Sequence, residues 1–139
     1  MEPAAPAGGS SGETILLIED DAQVRGIVAA MLETRGYRVL AAADAATAAE
    51  LAGTSTSIDL ILSDLAVAGS SGREIAERAR ELHPGAGVLH MSGYTDDAVL
   101  RRGVLERGAA FIEKPFSSEE LARHVRDVLD GRPEECSAA

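Results

Sequence analysis

Glu19-Asp20-Asp21, Asp64, Ser92 and Lys114-Pro115 are polar motifs that each stand at the end of a short apolar run. Their types suit the handling of an anion together with a metal ion. Glu19, Asp20 and Asp64 would bring about three negative charges into one cleft, and Lys114 would return one positive charge. A divalent cation neutralises the remainder, and hard cations prefer oxygen ligands; magnesium takes one or two carboxylates and keeps several waters. This reading makes Asp20 and Asp64 direct ligands of Mg2+ and Glu19 a direct or water-mediated one. A backbone carbonyl just after Asp64, that of Ala66, completes the protein's share. Lys114 is also the only lysine in the chain, every other cationic side chain being arginine. An ammonium is a compact point charge, whereas a guanidinium is a broad planar fork. A lone lysine here suits a narrow acidic pocket for a small anion; compositional drift that left one surface lysine accounts for it equally well.

The elements that must position these residues alternate strictly. Thr14–Ile18 is a continuous apolar run, as in a strand buried on both faces. Tyr37–Ala42, Ile58–Ser63, Gly87–Ser92 and Ala109–Ile112 are further short strands. Between them, Ala22–Arg35 carries apolar residues on one helical face and stops at Gly36. Ala45–Ala52 is an alanine-rich helix with Asp44 as N-cap. A third helix opens with Ser71 and Glu74 at capping-box spacing and ends before Pro84. A fourth starts at Thr95, and a fifth opens with the Ser117–Glu120 capping box and runs to Leu129. Five strand–helix units predict an α/β fold: a doubly wound parallel sheet with helices on both faces and right-handed crossovers. In such sheets ligands bind beyond the carboxyl ends of the strands. All four motifs fall there.

Length and composition set the frame. The 139 residues suffice for one domain and one core, here read as 13–130, between a flexible linker over 1–12 and a disordered tail over 131–139. The formal net charge of −10 opposes non-specific binding to nucleic acid or to an anionic membrane. The single cysteine, Cys136, excludes an internal disulfide and suits a reducing compartment. No apolar run approaches a membrane span and no signal peptide is visible, so the expected location is cytoplasmic.

Taken in order, Glu19-Asp20, Asp64, Ser92 and Lys114-Pro115 resemble the receiver domain of two-component response regulators. The stretch Val88-Leu89-His90-Met91-Ser92-Gly93-Tyr94-Thr95-Asp96-Asp97, followed by Lys114-Pro115-Phe116, is similar to receivers attached to hybrid sensor histidine kinases. The resemblance implies a flavodoxin-like (βα)5 fold with strand order 2-1-3-4-5. It implies that Asp64 accepts a phosphoryl group from a phosphohistidine and that Glu19 and Asp20 hold magnesium. It implies that Lys114 contacts Asp64 before transfer and a phosphoryl oxygen after it, and that Ser92 hydrogen-bonds another phosphoryl oxygen. Phe111 falls where the family carries a switch aromatic; a plain core ring is the equal alternative. The implied partners are a histidine kinase or a histidine phosphotransfer protein, with a homodimer or an intramolecular kinase domain as further options. The activity implied is limited self-phosphorylation and autodephosphorylation, in a stand-alone receiver or one belonging to a hybrid kinase.

Some positions depart from the family pattern. Glu19 stands for the usual aspartate, Ala68 for a proline, and Ser92 for the frequent threonine, while Ala66 and Gly93 leave a phosphoryl group accessible. Two other functions compete with this one. A degenerate receiver acting only as a binding module would be expected to lack a site residue, and none is missing. A magnesium-dependent aspartyl phosphatase would place its nucleophile after the first strand and need extra chain for a cap. Outside the site, Asp21 is expected to cap the first helix, and Asp59 to be solvent-facing or turn-forming. His83, His90 and His124 lie singly, without metal-ligand spacing. Arg101, Arg102, Arg107, Arg123 and Arg126 fit a solvated face better than a docking surface.

Overall fold

The computed structural model describes residues 12–55, 57–67, 70–92 and 110–131. The expected linker and tail lie almost wholly outside these residues. So do the helix expected from Thr95, Ala68, Gly93, and Arg101, Arg102 and Arg107.

Five parallel strands form one sheet: β1 (Thr14–Ile18), β2 (Arg38–Ala42), β3 (Leu60–Asp64), β4 (Gly87–Ser92) and β5 (Ala110–Glu113). Their order is β2-β1-β3-β4-β5, the expected 2-1-3-4-5. The described helices are α1 (Ala22–Thr34), α2 (Ala45–Thr54), α3 (Gly72–Leu82) and α4 (Ser118–Leu129).

Strand alternation sorts the core into two layers. Leu17, Leu62, Met91 and Ile112 pack on one face with Val28 and Leu32 of α1 and Val125 of α4. Ile18 and Ile61 pack on the other with Ala48 and Ala52 of α2 and Ala76 of α3. Every residue of β1 and β3 is buried, as expected for central strands covered on both sides. The alanines of α2 and α3 let those helices lie close to the sheet, and the long aliphatic residues of the other layer contribute roughly 1.5–3 kcal/mol each on burial.

The helix starts follow side-chain capping. Asp21 Oδ1 accepts from the backbone N–H groups of Gln23 at 2.9 Å and Val24 at 3.1 Å, so this carboxylate caps α1 as expected. Asp44 Oδ1 accepts from Thr47 N at 2.8 Å, and that bond holds its carboxyl below the usual range. At α4 the capping box is complete, Glu120 N donating to Ser117 Oγ and Ser117 N to Glu120 Oε1. Gly36, just past α1, has φ 93°, a conformation that favours glycine.

The third helix begins at Gly72, directly after Ser71 as expected, and the backbone of Ser71 also pairs with Ala66 in a short antiparallel ribbon, Ala66–Val67 against Ser70–Ser71. Two expectations need correction. Asp59 is neither solvent-facing nor a turn former. Its Oδ2 accepts from Thr14 N at 2.8 Å, its N–H donates to Thr14 O, and its carbonyl accepts from Gly87 N, so it ties the starts of β1, β3 and β4. Arg126 does not lie on a solvated face. It donates to Glu13 Oε2 at 2.9 Å, to Asp130 Oδ1 and to the Tyr37 hydroxyl, joining α4 to the amino-terminal edge of the sheet.

Candidate functional site

Backbone hydrogen bonds that continue the sheet by one rung place the site residues. Glu19 N donates to Ala42 O at 3.0 Å, extending the β1–β2 pairing past Ile18. Lys114 N donates to Ser92 O at 2.7 Å, extending β4–β5 past Glu113. Asp64 is the last residue of β3, opposite Met91, and Leu65 N donates to Met91 O just beyond it. By alternation Glu19, Asp64 and Lys114 follow the rows of Leu17, Leu62 and Ile112, the face covered by α1 and α4. Ser92 follows the row of Val88, on the α2–α3 face. Acids and ammonium thus emerge together, and the hydroxyl arrives from the other side of the sheet.

Lys114 Nζ donates to Glu19 Oε1 at 3.0 Å and to Asp64 Oδ2 at 3.1 Å. Glu19 is 1% exposed and Asp64 6%. Glu19 Oε2 also accepts from Asp21 N at 3.1 Å, and its carbonyl accepts from Arg25 Nη1 at 3.0 Å. Carboxylate oxygens of Glu19, Asp20 and Asp64 lie within 4.8 Å of one another, with Asp20 on the exposed side. Burial pushes the Glu19 carboxyl up to about 7, and the nearby Asp64 charge adds to this; the Asp21 N–H and Lys114 oppose it. Burial pulls the Lys114 ammonium down, but its hydrogen bond to Glu19 and the charges of Asp64 and Glu19 outweigh that and hold it above its usual value. One ammonium does not balance three carboxylates, so the donor set fits a hard divalent cation.

The loop after Asp64 is fixed from below. Ser63 Oγ donates to Asp64 O at 3.0 Å and to Gly72 O at 3.2 Å, and Gly72 N donates to Leu65 O at 2.9 Å. A Cβ on Gly72 would lie 1.6 Å from Asp64 O, so only glycine admits this approach of α3 to the acid. Sequence reasoning did not single out Ser63 or Gly72. The signals were a hydroxyl residue directly before the acid and a glycine at the start of a helix.

The remaining site residues are placed as follows. Ala66 opens the ribbon two residues after Asp64, opposite Ser71. Ser92 is fully buried, and its Oγ has no hydrogen-bond partner among the described residues. Phe111 is half-buried in β5, opposite His90, and lines a cleft of about 500 Å³ with Lys114, Phe116, Glu120 and His124. His83 and His124 each hold a backbone carbonyl, of Ala52 and Glu120. His90 is buried in the sheet. No histidine joins the acidic group among the described residues.

The sheet order, the acidic group and the lysine at one strand-end edge define the class: a receiver module of two-component signalling. The chain belongs to the response regulator receiver domain family, whose model matches residues 15–126. The sensor kinase CckA of Brucella abortus is 32% identical over 131 residues, which is 94% of this chain and 14% of that protein. The response regulator receiver protein CpdR of the same organism is 30% identical over 115 residues, 83% of this chain and 95% of that protein. This chain therefore spans a small part of one relative and nearly all of the other. A CheY-like receiver domain protein of Methanospirillum hungatei superposes with a TM-score of 0.77 at 29% identity, over 87% of this chain and 96% of that one. Among the described residues no helix is long and apolar enough to cross a membrane.

Proposed function

We propose that Asp64 is the phosphoacceptor of a two-component relay. Receiver domains interact with histidine kinases or phosphotransfer proteins, and the donor here is a phosphohistidine on such a partner. An Asp64 carboxylate oxygen attacks phosphorus, the P–N bond breaks, and the leaving imidazole regains its proton. The product is an acyl phosphate on Asp64. The observation that carries this reading is the pair of hydrogen bonds from Lys114 to Asp64 and Glu19, an ammonium already seated beside the attacking carboxylate.

Phosphoryl transfer depends on positioning and on neutralising the equatorial oxygens. Lys114 moves from Asp64 Oδ2 to a phosphoryl oxygen, and the Ser92 hydroxyl donates to another. Glu19, Asp20 and Asp64, with the Ala66 carbonyl, would hold Mg2+, which supplies further charge neutralisation when bound. Ser92 and Phe111 then form the switch. As the hydroxyl turns toward the phosphoryl group, the Phe111 ring repacks and alters the cleft beside Lys114. Phe111 has no hydroxyl, so it reports through packing alone. The likeness to part of CckA and the Val88–Asp97 stretch support a kinase-linked role, in a cytoplasmic relay.

The test is incubation with magnesium and acetyl phosphate, followed by intact mass. The wild type gains one phosphoryl group and Asp64→Asn gains none. No adduct on the wild type, or equal labelling of both, would overturn the proposal.

A further inference from the structure

One row of the sheet carries a buried histidine, His90, that the chemistry above leaves unused. Ser63, His90 and Phe111 are successive Cα partners across β3, β4 and β5. Their side chains therefore leave the same face of adjacent strands, which lie about 5 Å apart. Ser92 is two residues beyond His90 in β4, on that same face. His90 thus stands beside Phe111 across the sheet and next to Ser92 along its own strand.

His90 is 2% exposed and Ser92 0%. Both His90 Nδ1 and Ser92 Oγ lack a hydrogen-bond partner among the described residues. Buried polar atoms are nearly always paired, and two orphans on one face call for a common explanation. They are also chemically complementary. Burial, helped by the charge of Arg73, pulls the His90 pKa down to about 4, against a hydrogen bond between the ring and the Ser63 backbone. The ring is therefore neutral near pH 7, with one nitrogen protonated and the other an acceptor. A serine hydroxyl is a donor free to rotate between staggered positions.

We propose that His90 is a positioning residue that sets the resting orientation of the Ser92 hydroxyl and passes its movement to Phe111. In the resting protein one ordered water bridges the two, accepting from the Ser92 hydroxyl and donating to His90 Nδ1. When Ser92 turns to a phosphoryl oxygen, the imidazole loses that donor and shifts against its cross-strand neighbour Phe111. The second half of this inference rests on the reading of Asp64 as phosphoacceptor; the resting contact does not.

Two measurements test it. In the unphosphorylated protein, imidazole 15N shifts are compared between wild type and Ser92→Ala. The His90 Nδ1 resonance should move when the hydroxyl is removed, and an unchanged resonance overturns the inference whether or not the protein accepts phosphate. Dephosphorylation rates are then measured for wild type, Ser92→Ala, His90→Leu and the double variant. His90→Leu should change the rate by about threefold or more when Ser92 is present and hardly at all in the Ser92→Ala background. His90→Asn, which places an amide oxygen near the Nδ1 position, should restore the wild-type rate. An equal effect of His90→Leu in both backgrounds would reduce the imidazole to packing and overturn the proposal. A wild type that takes no phosphoryl group would sink the phosphoacceptor reading instead, with the 15N result still deciding the resting contact.

Discussion

The ammonium of Lys114 and the carboxylate of Asp64 meet at 3.1 Å although fifty positions separate them in the chain. The sheet brings them together, because β3 pairs with β4 and β4 with β5 in a register that ends all three strands at one edge. The same ammonium reaches Glu19 from β1, so a single cation spans three strand ends.

That geometry makes the identity of the cation matter. Lys114→Arg keeps the charge but replaces a point donor with a planar fork between two buried acids. Phosphorylation of Asp64 should slow by about tenfold or more, and by about a hundredfold in Lys114→Ala, as expected for loss of a group that stabilises developing charge. Phosphoprotein formation against time, with a small phosphodonor, measures both. A Lys114→Arg variant as fast as wild type would remove the point-charge argument while leaving the acceptor assignment intact.

Gly72 and Gly26 should respond to alanine in opposite directions. At Gly72 the new Cβ would collide with the Asp64 carbonyl oxygen, a backbone atom that can move only with the acid itself. Gly72→Ala should cost about 2 kcal/mol or more. Gly26, in the exposed part of α1, has nothing within 4 Å of a Cβ, and Gly26→Ala should stabilise by about 0.5–1 kcal/mol. Urea midpoints at constant m-value decide both signs.

Magnesium should stabilise the resting protein by mass action, since the acidic group exists only in the folded chain. Thermal melts should rise with magnesium concentration. Asp20→Asn, which removes the exposed carboxylate of the three, should abolish most of that rise. An undiminished response in this variant would place the ion elsewhere.

Buried His90 makes stability depend on acidity. Its folded pKa of about 4 lies below the usual value of 6.5, so between those values the unfolded chain binds a proton that the native state does not. Stability from this group is therefore present above about pH 6.5 and lost as pH falls toward 4, at up to about 1.4 kcal/mol per pH unit. Glu19, with its raised pKa, acts in the opposite sense, so the wild-type curve alone conceals the effect. The informative quantity is the stability difference between wild type and His90→Leu, which should shrink as pH falls from 6.5 to 4. A difference that does not change with pH would contradict the buried neutral ring.

The sequence made the strand ends legible because each buried strand is a short apolar run that stops at a polar residue. β1 and β4 have the expected bounds, while β3 begins two residues later than its apolar pattern, since Asp59 spends its backbone and side chain on the edges of β1 and β4. The caps at Asp21, Asp44 and Ser117 were legible because capping depends on neighbours a few residues away. The ribbon at Ala66–Ser71 was not, because its pairing follows from how Gly72 is drawn under Asp64. The four polar motifs could be placed at one edge from sequence. That Lys114 reaches Glu19 as well as Asp64, and that Ser92 lies on the opposite face with His90, are matters of register. Arg126 shows the same limit, its partners Glu13 and Tyr37 lying far off in the chain.

The central claim is that a phosphoryl group is carried by Asp64. Reductive trapping tests it most directly: borohydride converts an acyl phosphate to the corresponding alcohol, so a phosphorylated aspartate becomes homoserine. After reaction with acetyl phosphate and magnesium, reduction and peptide mapping should find homoserine at position 64. Homoserine at Asp20 or elsewhere, or 5-hydroxynorvaline at Glu19, in place of homoserine at position 64, or no reduced residue on a protein shown to be folded, would contradict the account.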